Sequence, residues 1–214
     1  MIKRNKWKLL ITSVIILLPI AVGLFLWNDL PEQIPVHWGV QNTPDRWSGK
    51  GFAVFAIPLF LLAVHWVCVI GTAADPKNRD QSPKAMGLIF WIIPFVSLFV
   101  SGFAYAAAMG MIFGPGVVVP VIAGIAFMAI GNYLPKCKPN YTLGIKVAWT
   151  LNSEENWIAT HRLAGTVWMI GGALLLLCVF LPQTAAAYAV AIDILALAAI
   201  PIIYSYAFYR KHEK

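Results

Sequence analysis

MIKRNKWKLLITSVIILLPIAVGLFLWN, residues 1–28, decides the fold. A cationic head of Lys3, Arg4, Lys6 and Lys8 leads into an apolar run over residues 9–28. A bilayer crossing needs about 20 such residues in a helix. The run is too long for the core of a signal peptide, and no small-x-small cleavage pattern follows Trp27. It reads as an uncleaved first membrane helix.

The rest of the chain repeats the pattern. Of 214 residues, 60% are hydrophobic and 12% are charged, against roughly 45–50% and about 25% in soluble domains. The mean hydropathy is +0.74. A soluble particle of this size has no interior large enough for that much apolar surface, so lipid must solvate much of it. This composition excludes a soluble enzyme, a disordered tail, a fibrous repeat and a compact nucleic-acid-binding domain. Further apolar runs fall at about 52–72, 86–108, 112–133, 163–182 and 185–208, giving six spans with the first. The turns at 109–111 and 183–184 are short and fit helical hairpins, broken by Gly110, Gly114 and Pro115 and by Pro182.

The net charge of +7 reads as membrane orientation rather than affinity for nucleic acid, and no direct nucleic-acid partner is expected. Lys3, Arg4, Lys6 and Lys8 precede span one. Lys77, Arg79 and Lys84 follow span two. Lys136, Lys138, Lys146 and Arg162 follow span four, and Arg210, Lys211 and Lys214 follow span six. These fourteen of the sixteen Lys and Arg fall on one side, and only Arg46 and Lys50 on the other. Basic loops face the cytoplasm. The expected fold is therefore all-α: a polytopic membrane protein with six transmembrane helices and both termini cytoplasmic, in the cell membrane.

Pro19, Pro58, Pro94, Pro120 and Pro201 punctuate the spans. Neighbouring helices can satisfy the carbonyls they free, and plain packing accounts for them, although they can also shape a cavity. Ala185 with Ala189, and Ala187 with Ala191, suggest close helix contact in span six. The cysteines, three in number, offer neither a disulfide framework nor a metal spacing. No metal and no cofactor are expected.

Two loops carry information. The external one, LPEQIPVHWGVQNTPDRWSGK at residues 30–50, is too rich in Pro, Gly and Asn for a helix. Trp38 and Trp47 suit the membrane interface, His37 lies near them, and Asp45 and Arg46 are adjacent opposite charges. It reads as an interfacial cap or a ligand-contact surface. The second loop, GNYLPKCKPNYTLGIKVAWTLNSEENWIATHRLAG at residues 131–165, divides in two. Residues 134–150 contain Pro135, Pro139 and Gly144 and should be irregular. Asn152 with Glu155 three residues on forms a capping-box pattern, and Glu154 and Glu155 suit a helix N-terminus. One helix can then run into span five, with Trp157, His161, Gly165 and Trp168 on one face. Arg162 can snorkel to the headgroups. His161 reads as a structural hydrogen-bonding group; spacing reveals no catalytic arrangement around it.

These residues resemble a known family. GNYLPK, KPNYTLGIK, WTLNSEENW and THR are similar to the SdpI family of membrane immunity proteins. LP..IPVHW and the D....K end of the first loop resemble DUF1648, often found at the N-terminus of that family. The resemblance divides the chain into a DUF1648-like region, 1–84, holding helix 1, the external loop and helix 2, and an SdpI-like region, 85–214, holding helices 3–6 and the cytoplasmic loop 134–162. The family often has Asn at the position of Gly39 and Gly at that of Asn42. It commonly has Arg and Thr-Pro where Lys146, Val147 and Ala148 stand, and Lys lacks the planar fork of Arg.

The resemblance implies protection against a secreted toxic peptide. It also implies a receptor that holds a small cytoplasmic repressor at the membrane. Candidate ligand- or partner-binding residues are His37, Trp38, Asp45 and Lys50 outside, and Asn140, Gly144, Lys146, Trp149, Trp157, His161 and Arg162 inside. The basic inner loop suits an acidic partner or the anionic lipid bilayer. Two polar groups lie inside the spans, His65 and Asp193. A charge there costs at least ~2.5–3.5 kcal/mol, so they face the bundle interior or water. A small transporter or channel using Asp193 and His65 is the alternative. A membrane enzyme is not expected, since no zinc, nucleophile-elbow or phosphate-loop motif is present.

Overall fold

A computed structural model describes residues 2–39, 41, 43–77, 83–111 and 115–212, without the side chains of 83–86 and 115. Of the residues singled out in the sequence, Asn42, Arg79, Gly114, Lys214 and the Lys84 side chain lie outside this description. Among the described residues, six helices are long and apolar enough to cross a membrane: Lys3–Phe25, Phe52–Ala74, Gly87–Ala108, Gly116–Lys136, Glu154–Phe180 and Gln183–His212. The regular elements are α1 (Lys6–Phe25), β1 (Gln33–Trp38), β2 (Pro44–Gly49), α2 (Ile57–Ala74), α3 (Pro83–Ala108), α4 (Pro115–Tyr133), α5 (Ala148–Asn152), α6 (Glu154–Leu177) and α7 (Gln183–His212). The chain forms two compact units, one of residues 1–74 and 87–115, the other of 75–86 and 116–214.

The first unit has polar bonds at the carbonyls of a helix that carries an internal proline, Pro19. Pro19 leaves the Ile15 carbonyl without its intrahelical donor. Beside it, the Ile16 carbonyl accepts from Ser97 Oγ at 2.8 Å, and the Pro19 carbonyl accepts from Tyr105 OH at 3.1 Å. The external loop, expected not to be a helix, is an antiparallel β-hairpin pairing Gln33 with Gly49, Ile34 with Ser48, Pro35 with Trp47, His37 with Arg46 and Trp38 with Pro44. Pro35 fits because a two-stranded ribbon consists only of edges. A five-residue π turn, Phe52–Ala56, joins the hairpin to α2. Ile34, Leu30, Ala53, Val54, Ala104 and Tyr105 form a buried core beneath the hairpin.

The second unit depends on close helix approach. Cβ atoms added to Gly124 and Gly172 would each lie 2.7 Å from the other's carbonyl oxygen, and those on Gly131 and Gly165 would come within 2.9 and 2.8 Å. These glycines recur every seventh residue on α4 and on α6, so the two backbones touch along a seam of small residues. On α7 the buried line is Ala186, Leu197, Pro201 and Ser205, whereas Ala185 and Ala191, expected in the contact, are exposed. Pro201 frees the Leu197 carbonyl four residues back, and Trp168 Nε1 of α6 donates to that oxygen at 2.9 Å. Gly110 ends the α3 side of its hairpin at φ +83°, and Pro115 opens α4 as its first residue, where its missing N–H costs nothing.

Two local expectations shift. α6 is capped by Ser153, not Asn152: Ser153 Oγ accepts from Asn156 N at 3.2 Å. Asn152 instead ends the short helix α5, and residues 148–150, expected to be irregular, belong to it. The serine wins because Ser153 takes the extended backbone, φ −134°, that a cap requires.

Candidate functional site

The loop between α4 and α6 folds into a knot around Asn140, Gly144 and His161. Asn140 is fully buried. Its amide donates to the carbonyls of Lys138 (2.8 Å) and Leu143 (3.1 Å), while its Oδ1 accepts from the N–H groups of Thr142 (2.8 Å) and Leu143 (2.6 Å). One side chain thus satisfies the backbone of a turn that no helix or sheet could serve. Gly144 follows at φ +99°, a left-handed conformation natural to glycine. A Cβ there would overlap His161 Nε2, so glycine is needed twice over.

His161 ties this turn to α6. Its Nδ1 bonds to the Trp157 carbonyl at 2.8 Å, and its Nε2 to the Ile145 N–H at 3.0 Å. A carbonyl can only accept and an N–H can only donate, so the ring must be neutral with its proton on Nδ1. Both nitrogens are committed, and the ring stacks on Trp157 with centroids 4.0 Å apart. Trp157 is buried completely, and its Nε1 donates to the Cys137 carbonyl at 2.8 Å. Burial pushes the Cys137 thiol up from its ordinary range. Lys146 is exposed and donates from Nζ to the carbonyls of Tyr141 (3.3 Å) and Thr142 (3.1 Å). Those single-oxygen acceptors suit a lysine and do not demand the fork of an arginine.

Five of the seven inner candidates, Asn140, Gly144, Lys146, Trp157 and His161, therefore meet in one knot. Trp149 lies beside it on α5, its ring 5.3 Å from that of Tyr206 and 6.2 Å from that of Tyr209 on α7. Arg162 is exposed on α6. The sequence reading missed four supporting residues. Thr150 Oγ1 donates to the Ile145 carbonyl at 2.8 Å. Asn156 joins α6 to α7 by accepting from Ser205 Oγ at 2.8 Å and donating to the Ser205 carbonyl at 3.1 Å. Asp75 accepts at Oδ2 from Tyr141 N (2.8 Å) and Thr142 Oγ1 (3.2 Å), and at Oδ1 from Lys77 N (2.9 Å). Its sequence signal is the Asp75-Pro76 turn pair directly after an apolar run.

The hairpin candidates separate. His37 Nδ1 bonds to Asp45 Oδ1 across the hairpin, with side chains 58% and 47% exposed. Trp38 packs on Phe103, centroids 4.8 Å apart. Lys50 turns inward and is buried. Its Nζ donates to the carbonyls of Trp27 (3.1 Å) and Leu30 (3.3 Å), pairs with Glu32 (2.9 Å) and sits over the Trp27 ring. Trp27 and Leu30 lie in the turn after α1, so Lys50 fastens that turn to the end of the hairpin.

Within the spans, His65 Nε2 is 3.0 Å from Thr12 Oγ1. Its Nδ1 and the Asp193 Oδ2 are buried and have no hydrogen-bond partner among the described residues. His65 belongs to the first unit and Asp193 to the second. No cluster of His, Cys, Asp and Glu suited to a metal ion occurs among the described residues.

Six apolar helices, a capped hairpin and a self-bonded inter-helix knot define a multi-pass membrane protein whose polar construction is concentrated in two loops. The SdpI/YfhL protein family matches residues 136–205, the knot included, and the domain of unknown function DUF1648 matches residues 14–62, the hairpin included. The chain is 24% identical over 208 residues to "Immunity protein SdpI" of Bacillus subtilis (strain 168), covering 95% of this chain and 97% of that protein. No solved structure matches.

Proposed function

We propose that this chain is an integral-membrane immunity protein that protects its cell against a secreted toxic peptide. The observation that carries the reading is the end-to-end similarity to an immunity protein, 95% of the chain, with both family regions in order. The basic loops set the orientation: both termini and the 134–162 knot in the cytoplasm, the hairpin outside. The toxic peptide meets the hairpin face, where the His37–Asp45 pair and Trp47 are exposed. The knot serves a second role, as the surface that holds a small repressor protein when the outside is occupied. Its exposed Lys136, Lys138 and Lys146 suit an acidic partner.

The test is survival. A deletion strain, the parent and a complemented strain are exposed to medium from a dense parent culture. Loss of membrane potential in the deletion strain alone, rescued by the gene, supports the reading. Equal survival in medium shown to contain active toxin refutes it.

The unpartnered buried oxygen of Asp193 favours one second reading, a small transporter or channel using Asp193 and His65. Solute flux in proteoliposomes that disappears in Asp193→Asn would support it. An Asp193→Asn variant with full activity and expression counts against it.

A further inference from the structure

The carboxylate of Asp75 lies between the two stretches that match known families, 14–62 and 136–205, yet it is bonded to the heart of the second. Both of its oxygens accept. Oδ1 takes the Lys77 N–H and so closes a turn over residues 75–77, and Oδ2 takes the Tyr141 N–H and the Thr142 hydroxyl. That turn carries Lys77 Nζ to 4.5 Å from the centre of the Tyr141 ring. Tyr141 is half exposed, and its carbonyl receives Lys146 Nζ at 3.3 Å. A face of one aromatic ring and two cations is thus assembled from both loops, with a single carboxylate as the fastener.

We propose that Asp75 is the positioning residue of this site, and that residues 75–77, directly after α2, are a working part of it. Asp75 is the residue next after α2, and α2 follows the hairpin through the Phe52–Ala56 turn. The residue that holds Tyr141 and Thr142 is thus the first after α2 in the chain. The inference deepens the reading of the knot as a partner-holding surface and rests on it for the consequence in the cell. The positioning itself needs no partner to test.

The chemistry sets a sharp criterion. Asparagine matches aspartate in shape but offers one acceptor oxygen and a donor amide. In an Asp75→Asn variant the oxygen can stay on Tyr141 and Thr142 while the amide NH2 confronts the Lys77 N–H, so Asp75→Asn loses one arm and Asp75→Ala loses both. The purified full-length protein in detergent is digested with trypsin, and cleavage after Lys146 is compared with cleavage after Arg210 and Lys211 at the end of α7. The expected result is a roughly tenfold faster cut after Lys146 in Asp75→Ala and a smaller rise in Asp75→Asn, with the tail cut unchanged, the signature of a locally released turn. An unchanged Lys146 rate in Asp75→Ala overturns the proposal, and so does an equal rise at both places, which would mark Asp75 as a general stability residue. If Asp75→Ala does not accumulate, Thr142→Val removes the hydroxyl arm. It should speed the Lys146 cut about threefold, and no change there overturns the proposal. In cells, Asp75→Ala at normal abundance should lose induction of a reporter under the repressor's control, and full induction would overturn the consequence drawn for the cell. The proteolysis outcome stands whether or not the chain proves to be an immunity protein.

Discussion

Replacing Gly144 by alanine tests the reading of the knot most directly. Two costs arise from separate causes. The residue sits at φ +99°, where an L side chain loses roughly 1–2 kcal/mol. Its methyl would overlap His161 Nε2, so the imidazole must withdraw and leave the Ile145 N–H, now bonded at 3.0 Å, without an acceptor. A stranded, partly buried donor costs about 1–3 kcal/mol. Together the loss is about 2–5 kcal/mol, or roughly 4–20 °C in Tm at the scaling for chains of this size. Gly110 supplies the control, since its φ is also positive, +83°, but a methyl added there meets nothing within 4 Å. Gly110→Ala should show the backbone strain alone, about 1–2 kcal/mol. Gly71 lies within α2 with open space around it, and Gly71→Ala should be neutral or stabilise by about 0.5–1 kcal/mol. Thermal unfolding in detergent, with tryptic cleavage after Lys146 as a local probe, orders the three. If Gly144→Ala is no worse than Gly110→Ala by both measures, the His161 bond contributes nothing and the knot is not held as described.

Three further outcomes follow from other parts of the chain. Lys50→Ala strips two carbonyls in the turn after α1 of a charged donor and should cost about 1.5–3 kcal/mol. Glu32→Ala should cost less than about 1 kcal/mol because Glu32 is exposed; comparable losses in thermal stability would refute the fastening role of Lys50. Trp168→Phe leaves the Leu197 carbonyl unpaired next to Pro201 and should cost about 1–2 kcal/mol. That loss should shrink in a Pro201→Ala background, where a backbone N–H returns, and additive losses in the double-mutant cycle would refute the pairing. Burial raises the thiol of Cys137, so thiolate is scarce at neutral pH. With Cys68 and Cys178 replaced by alanine, maleimide labelling should be slow at neutral pH and rise steeply only in alkaline buffer; fast labelling at neutral pH would contradict its burial.

The spans were legible because lipid imposes a long apolar run on any helix that crosses it, and nothing else in the sequence competes with that signal. The two-sided distribution of Lys and Arg added the expected orientation for a similar reason. The hairpin was harder to read. Its strands hold two prolines, Pro35 and Pro44, and pair with irregular register around His37, so alternation of polar and apolar residues is lost. The cap at Ser153 differed from Asn152 by one place because both residue types cap well and only the backbone angle chooses between them. Within the candidate site, Trp157 and His161 were readable from helical spacing. Asn140 drew attention only through likeness to a family and Gly144 otherwise only as a breaker in an irregular stretch; their bonding could not be derived from spacing, since it depends on a turn closing on itself. Asp75 escaped for a plainer reason. The Asp75-Pro76 pair marks a turn and says nothing of what the carboxylate holds. Its partners, Tyr141 and Thr142, lie more than sixty residues away in the chain, and long-range pairing of a lone carboxylate leaves no periodic trace.

The placement of polar bonds argues for what the two loops do. In a membrane-spanning bundle the apolar solvent gives helices little reason to prefer one partner, so contact depends on small residues and a few buried hydrogen bonds. In the second unit the glycine seam of α4 and α6, the Trp168–Leu197 bond and the Asn156–Ser205 pair already supply both. The knot adds a further network, Asn140, His161, Thr150 and Asp75, in a loop that the helices do not need for their own contact. Its members spend nearly every donor and acceptor on fixing backbone carbonyls and N–H groups, while the charged groups Lys136, Lys138 and Lys146 are left at the surface. A loop that merely joined two spans would gain nothing from so much order, because long flexible connections cost little in closure entropy. Order of this kind is what the recognition proposed above would require, since a surface fixed in advance spares a partner the cost of arranging it. The same reasoning separates His161 from catalysis, since a ring with both nitrogens held by backbone groups has no free lone pair with which to take a proton.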